Sequence, residues 1–567
     1  MRKALALFVI GWLLVLAGSW AAHAIQTAGG VEVRDVRFAG AGGTTMSGLL
    51  YVPKTATRQT PAPGVLAVHG YINSRETQSG FAIEFARRGY VVLALDQTGH
   101  GYSGGAAFSN GFGGPDGLTW LRSLPMVDPA NIGLEGHSMG GWTVLAAAST
   151  QPEGYRSMVL EGSATGAPFA AEGNPAWPRN LAVVFSRYDE FSKLMWGVDR
   201  AQDVGASGKL QALFGTAAPV IAGQVYGDIG QGTARRLTTP VTTHPGDHLS
   251  TEAIGDSLDW FARTLEGGTP RPASDQIWYW KEAATGVALI GMIGLMLGTF
   301  GLLLQMPLLS GLKAAPVAVR EGRDGGWWSW LSITALLPVL TYFPAFILVT
   351  LALPPGPILR QGITNQIVVW ALINTALTLL LGLFQRRASA AAKVHLSRWI
   401  PAVFLALATV GAGYGALALA DRLFTVDFRF WVVAFKLPSA DQARLALVYL
   451  APLTLFFLVA QSALHRTLSV QGDSAARQYA TAIAAFAGGF LLMLAVDYGL
   501  FFLTGSLPTA FDPLSTVVAI QFVPLLTIVA VIAVFSWRRT GSALPGALVN
   551  GLLVTLYAVA GTATQVV

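Results

Sequence analysis

The sequence predicts two structural classes in series. A mostly parallel α/β sheet domain spans residues 30–268, and an all-α membrane domain spans 283–567, with 269–282 as linker. Three observations carry this reading. The chain is 53% hydrophobic and only 12% charged, with mean hydropathy +0.51, where soluble domains carry about 25% charged residues. The deficit is uneven: composition is ordinary up to Gly267-Gly268-Thr269-Pro270-Arg271-Pro272, and beyond it apolar runs are cut by short polar loops. Before that step, short apolar runs alternate with helical patterns, the signature of a parallel sheet covered by helices on both faces.

At the start, Arg2-Lys3 precede an apolar run from Ala4 to about Ala17, and Ala22-His23-Ala24 reads small-x-small. Residues 1–24 are a signal peptide or an uncleaved anchor, and either one exports the chain beyond it. Val33–Phe38 and Ser47–Val52 form an opening hairpin. Gly64–Val68 is a continuous apolar run, as in a strand buried on both faces. Glu76–Arg88 has a helical pattern, Tyr90–Leu95 is the next strand, and Asp116–Ser123 is again helical.

Gly136-His137-Ser138-Met139-Gly140 comes after a strand-like segment, Asn131–Glu135, and precedes Gly141–Ala148, rich in helix formers. Strand, sharp turn and helix are the setting of a nucleophile elbow, in which glycines avoid collisions with neighbouring backbone and the serine is lifted to a strand tip. Ser138 is the expected nucleophile. Ser157–Leu160, Leu181–Phe185 and Leu237–Thr243 are further strands. Ile254–Leu265 closes the domain as a helix, capped by Ser250 or Thr251 with Glu252 in its first turn.

Crossing a bilayer takes about 20 apolar residues per helix. Eight runs qualify after the composition step, near 284–308, 328–353, 365–384, 400–420, 443–463, 480–503, 515–536 and 545–564, the last the least apolar. Every second loop is basic: 310–326 (Lys313, Arg320, Arg323), 385–398 (Arg386, Arg387, Lys393, Arg398), 464–478 (Arg466, Arg477) and 537–544 (Arg538, Arg539). Basic loops stay cytoplasmic, so the first of the eight helices enters from outside and residues 30–268 are extracytoplasmic. Trp278-Tyr279-Trp280 and Trp327, Trp328 and Trp330 suit the bilayer interface. Asp497, inside a predicted span, must be protonated, paired or facing a cavity, with Asn374, Gln521 and Asn550 as candidate partners.

The absence of cysteine excludes disulfides, a thiol nucleophile and Cys-based metal sites. The net charge of +6 sits mainly at the ends of apolar runs, which is membrane topology rather than a nucleic-acid patch. No metal-ligand spacing or phosphate loop occurs, so no cofactor and no metal are expected. The oligomeric state is left open.

Residues 45–265 resemble the α/β-hydrolase superfamily. The resemblance rests on His69-Gly70 after one strand, Asp96-Gln97-Thr98-Gly99-His100-Gly101-Tyr102-Ser103 after the next, Gly-His-Ser-Met-Gly-Gly at the elbow, and a late Asp and His in order. It runs to the serine aminopeptidase/monoacylglycerol-lipase-like branch, which spans esterases, lipases, thioesterases and peptidases. The resemblance implies Asp189 as triad acid, with Glu190 as the lesser choice. It implies His248 as base, with His244 as the alternative, because the family places its histidine just before the last helix. It implies an oxyanion hole from the N–H groups of Met139 and Tyr71. His100 is expected to support its loop. The long stretch 191–235 reads as a lid or as a surface insertion. The expected function is a membrane-tethered serine hydrolase acting on an ester or related acyl bond of a small or lipid-like substrate. An acyltransferase or peptidase with the same triad, and a transporter or scaffold with a binding-only outer domain, are the alternatives.

Overall fold

The computed structural model describes residues 1–383 and 396–567. Arg386, Arg387 and Lys393 of the second basic loop lie outside the described residues. The chain forms two compact units, each assembled from separate stretches. The α/β unit takes Trp20–Ala283 together with Tyr498–Pro513 and Gly561–Val567, and the helical unit takes Met1–Ser19, Ala284–Asp497 and Leu514–Ala560. The α/β unit therefore extends past 30–268 and includes two segments that apolar patterning assigns to the membrane domain.

Helix α1 is Arg2–Gln26. In the α/β unit, strands β1 (Val31–Ala39) and β2 (Thr45–Pro53) form the predicted hairpin. There follow β3 (Ala62–Val68), α2 (Ser79–Arg87), β4 (Val91–Asp96), α3 (Gly114–Ser123), β5 (Val127–His137), α4 (Met139–Thr150), β6 (Ser157–Glu161) and β7 (Leu181–Val184). The stretch after β7 holds α5 (Ser192–Trp196), α6 (Gly208–Phe214) and β8 (Val225–Tyr226), before β9 (Arg235–Thr238) and α7 (Thr251–Thr264).

The sheet runs β1-β2-β4-β3-β5-β6-β7-β9-β8. From β4 to β9 all neighbours are parallel, and the antiparallel pairs lie at the two ends. Every residue of β3 and β4 is buried, because helices cover both faces. On one face Leu49, Val65, Val92, Phe81 and Phe85 pack with Ile254, Trp260 and Phe261 of α7. Ser250 caps α7, its hydroxyl accepting from Ala253 N–H at 3.1 Å. This is the α/β-hydrolase fold, with the tip of β5 presented at the carboxyl edge of the parallel strands.

The motif beginning at Asp96 folds its own turn. The Asp96 carboxylate accepts from Arg75 N–H (2.8 Å), Tyr102 N–H (3.0 Å) and the Ser47 hydroxyl (2.8 Å). Buried Arg75 also reaches both oxygens of Asp35 at 2.7 and 2.8 Å. The insertion after β7 is well packed rather than loose: Trp196, Leu210, Leu213 and Phe214 are all buried.

The helical unit contains α8 (Trp278–Leu303, from Ala284 on), α9 (Pro307–Ser310), α10 (Gly325–Leu340), α11 (Tyr342–Ala352), α12 (Gly362–Leu383), α13 (Trp399–Phe424), a small hairpin β10–β11 (Phe428–Phe430, Val433–Phe435) and α14 (Ala440–Leu468). Then come α15 (Ala475–Phe486), α16 (Gly488–Thr504, up to Asp497), α17 (Pro513–Thr540) and α18 (Leu544–Gly561). Among the described residues eight helices are long and apolar enough to cross a membrane, α1 included and α10–α11 counted as one. The pair α15–α16, bent by 56°, makes a ninth if taken as one span.

Helix α1 packs closely on α8 through glycines. A Cβ on Gly291 would stand 2.6 Å from Val15 N, and one on Gly18 would stand 2.6 Å from Ala284 O. Three of the basic loops meet. Arg320 donates to Thr467 O at 2.6 Å, Arg323 pairs with Asp473 at 2.7 and 3.0 Å, and Ala314 N–H reaches Arg539 O at 3.4 Å. Two of the alternate loops reach the same turns of α18: Gln361 Nε2 donates to Val559 O at 3.0 Å, and Phe435 packs on Tyr557. The three residues considered as partners of Asp497 bond elsewhere. Asn374 donates to Thr341 Oγ1 and Trp370 O, Asn550 donates to Val529 O, and Gln521 accepts from Tyr557 OH.

Candidate active site

Ser138 stands between β5 and α4 with φ 55° and ψ −120°. For a residue with a Cβ this is a strained conformation, held only where the surroundings enforce it. They do so here through small neighbours. A Cβ on Gly136 would collide with the Gly140 carbonyl, and one on Gly140 would meet Val68 O and stand 2.7 Å from His69 O. Ser138 N–H donates to Glu161 O at 2.8 Å, and the Ser163 hydroxyl donates to Ser138 O at 2.7 Å. Ser138 itself is only half-buried, so its Oγ stays within reach of solvent.

Met139 is the first residue of α4, where amide protons point out along the helix axis and the helix dipole favours negative charge. The loop after β3 lies against the elbow, a Cβ on Gly70 standing 3.2 Å from Ser138 Cβ. His69 holds that loop. Its Nε2 accepts from Gln97 N–H at 3.2 Å, which leaves the proton on Nδ1 to donate to Gly70 O at 2.7 Å. Tyr71 comes next, its hydroxyl accepting from Gln565 Nε2 at 3.0 Å. Thr564 bonds the neighbouring loop, N–H to Gly99 O at 2.8 Å and O from Ala107 N–H at 2.7 Å. His100 Nδ1 bonds Thr98 O at 3.0 Å, within the same turn.

Asp189 comes from the loop after β7. Its Oδ1 accepts from Phe191 N–H at 2.8 Å, and its Oδ2 stands 2.8 Å from Nδ1 of His244. The structure thus departs from the expected pairing: His244, not His248, faces the acid. The reason is local. Between β9 and α7 the chain makes a short helical turn over Pro245–Leu249. His244 opens that turn beside Asp189. His248 falls one turn later, with its ring 4.1 Å from the ring of His137 and edge-on to Phe81 at 6.0 Å.

Four contacts hold the His244 loop. Its backbone N–H donates to Glu190 Oε2 at 2.8 Å, and its carbonyl accepts from His137 Nε2 at 2.9 Å. Its ring packs against Phe191 and His137, with centroids 4.5 and 4.6 Å away. Burial pushes the His244 pKa down to about 4, so the imidazole is neutral at ordinary pH. Burial, then the nearby Asp247 charge, raise Asp189 well above the usual carboxylate range. Glu190 is pushed up to about 8 by burial and by Asp189, against the lowering effect of its hydrogen bonds from Tyr498 and His244. The Tyr498 hydroxyl donates to Glu190 Oε1 at 2.7 Å.

A wall of aromatic rings starts at Tyr71. Tyr71 lies beside Phe108, Phe108 stacks on Phe169 at 5.6 Å, and Phe169 meets Phe112 and Trp142. They adjoin a cleft of about 590 Å³ lined by Phe108, Phe112, Leu145, Ala146, Pro168 and Phe169. Sequence reading missed this wall, and missed His137, Tyr498 and Gln565 as parts of the site. Glu190 was legible through its place beside Asp189. Tyr498 and Gln565 carried no local signal, since they lie more than 300 residues from the groups they touch.

Residues 59–194 match the family described as "Serine aminopeptidase, S33". A monoacylglycerol lipase of Mycolicibacterium smegmatis is 33% identical over 140 residues, which is 23% of this chain and 46% of that protein. The chain therefore spans about half the length of that relative. Among solved structures, an esterase of Pyrococcus furiosus aligns with 18% identity and a TM-score of 0.31, over 42% of this chain and 92% of the esterase. An S-formylglutathione hydrolase of Agrobacterium tumefaciens aligns with 18% identity and a TM-score of 0.30, over 42% and 98%.

Proposed function

We propose that this protein is a membrane-tethered serine hydrolase that cleaves an ester or related acyl bond, its α/β unit on the outer face of the cytoplasmic membrane. The observation that carries the reading is a strained elbow serine, Ser138 at φ 55°, in the same unit as a buried Asp–His couple, Asp189 at 2.8 Å from His244. Neutral His244 donates its Nδ1 proton to Asp189, which leaves Nε2 as the acceptor. In the proposed reaction Nε2 takes the Ser138 hydroxyl proton as Oγ attacks the acyl carbonyl carbon. Met139 N–H and Tyr71 N–H receive the oxyanion. His244 then protonates the departing alcohol, and the acyl-enzyme is released by water through the same base.

The similarity to a monoacylglycerol lipase and the aromatic cleft beside Tyr71 both favour a lipid-like acyl group. The glycine-mediated fit of α1 on α8 favours a retained anchor over a cleaved signal peptide. The meeting of three basic loops at one end of the helical unit supports a cytoplasmic face there. Fluorophosphonate labelling of the full chain in membranes, then a panel of esters of rising acyl length, tests the reading. Wild type is expected to label and Ser138→Ala to be silent while still reaching the membrane. Labelling that survives Ser138→Ala would overturn it.

A further inference from the structure

The hydrolase site is held in part by a residue far down the chain. Tyr498 begins a stretch, Tyr498–Pro513, that lies between helical-unit segments in sequence yet packs in the α/β unit. Its hydroxyl donates to Glu190 Oε1 at 2.7 Å, and the other Glu190 oxygen accepts the backbone N–H of His244 at 2.8 Å. Phe501 and Phe502 continue the contact, edge-on to Tyr188 at 5.9 and 5.0 Å. Tyr188, Asp189 and Glu190 are consecutive, so one segment grips the acid loop and, through Glu190, the base loop.

We propose that Tyr498 is a positioning residue for the general base, fixing the Glu190 carboxyl that anchors the His244 backbone. The proposal rests on the triad reading above. Two physical points support it. Glu190 is 4% exposed, and a buried carboxyl has no water to replace a lost partner. The His244 ring position also follows its backbone, so a shift of a few tenths of an ångström at the backbone reaches Nε2, where small misplacements are costly. The titratable groups facing Glu190 are Asp189 on its own loop, His244 on the base loop and Tyr498 on α16. Ionised Glu190 adds negative charge beside His244 and favours the imidazolium, so turnover rises as Glu190 titrates.

The test uses the full chain in membranes, with active sites counted by fluorophosphonate and kcat and KM measured on a short-chain ester from pH 5 to 10. Tyr498→Phe is expected to lower kcat per active site about tenfold, the worth of one hydrogen bond, with KM little changed. It is also expected to move the alkaline inflection to higher pH, because the tyrosine donor favours the carboxylate. Glu190→Gln is expected to label yet lose that inflection, and adding Tyr498→Phe to it should cost little more. A purely structural role would reduce the count of active sites without moving the profile. A Tyr498→Phe profile that superimposes on wild type, an equal loss in the Glu190→Gln background, or an intact inflection in Glu190→Gln would overturn the proposal. Ser138→Ala run in parallel separates the two readings. If Ser138→Ala still labels, the triad falls; if it is silent and Tyr498→Phe is unchanged, only the positioning role falls.

Discussion

His244 and His248 are four residues apart, and nothing in their spacing says which meets the acid. Both lie between the last parallel strand and the last helix, and both stand among small or polar residues. The outcome is set by the short helical turn over Pro245–Leu249, which turns the two rings to different neighbours. Sequence therefore placed the partner of Asp189 within one turn but not on one residue, whereas the elbow conformation of Ser138 was legible because its glycine frame is a local steric requirement. His244→Ala is expected to lower kcat by three orders of magnitude or more, by analogy with other triad knockouts. His248→Ala should retain most of the rate, and an inactive His248→Ala beside an active His244→Ala would reverse the assignment. With His244 near 4, fluorophosphonate labelling should rise through that pH as the imidazole loses its proton, with any later rise confined to the range where Glu190 titrates. A half-point near 6.5, the ordinary value for a solvated histidine, would contradict a buried base. Beneath the elbow, Glu135 is buried on β5, bonded by Gln78 at 2.8 and 3.0 Å, and pushed up to about 8 by burial. Its folded pKa lies above the unfolded one, so its contribution to stability is complete below about 4.5 and is lost as pH rises towards 8. Glu135→Gln should therefore flatten the fall of melting temperature across that window; an unchanged slope would count against it.

Elements were predicted best where periodicity and punctuation agree. The opening hairpin, the all-apolar strand β3 and the capped helix α7 all came through, because alternation, double-sided burial and an N-cap serine each leave a local mark. The last parallel strand is shorter than expected, ending at Thr238 rather than Thr243, since Pro240 cannot supply a ladder N–H. The sixth apolar run hides a bend: α15 and α16 meet at 56° around Ala487. Gly488-Gly489 was the available signal. A Cβ on Gly489 would run into the Ala335 carbonyl, so the pair marks a close crossing with α10. Ser250→Ala, removing the α7 cap, should cost about 1 kcal/mol of stability, read as an earlier loss of labelling on heating. Gly291→Leu puts a branched side chain where Val15 N leaves 2.6 Å, and should displace α1 from α8. An intact α1–α8 crosslink in that variant would argue that the glycine contact is not what joins them.

At the scale of the whole chain, the proposed sidedness makes a demand on how the segments are shared between the two units. Residues 498–513 and 561–567 both pack in the α/β unit, and the pair α17–α18 lies between them. If both helices cross the membrane, an even number of crossings separates two segments on the hydrolase side, as the alternation of basic loops requires. Reporters placed after Gly268 and at Val567 are expected to read outside, and one inserted within 310–326 to read inside. A cytoplasmic signal after Gly268 would overturn the orientation. What sequence could not reveal was the membership of those two segments. Their contacts with Glu190, Gly99, Ala107 and Tyr71 are polar and remote in sequence, and apolar patterning is blind to such links. The arrangement also orders events in time. Ser138, Asp189 and His244 leave the ribosome early, whereas Gln565 emerges only after the roughly 290 residues between Gly268 and Gly561, or about 15–60 s of synthesis at ~5–20 residues per second. Through that interval the loops at Tyr71 and Gly99 lack the bonds that Gln565 and Thr564 supply, so on the proposed function the candidate site is completed only after α17 and α18 have been made.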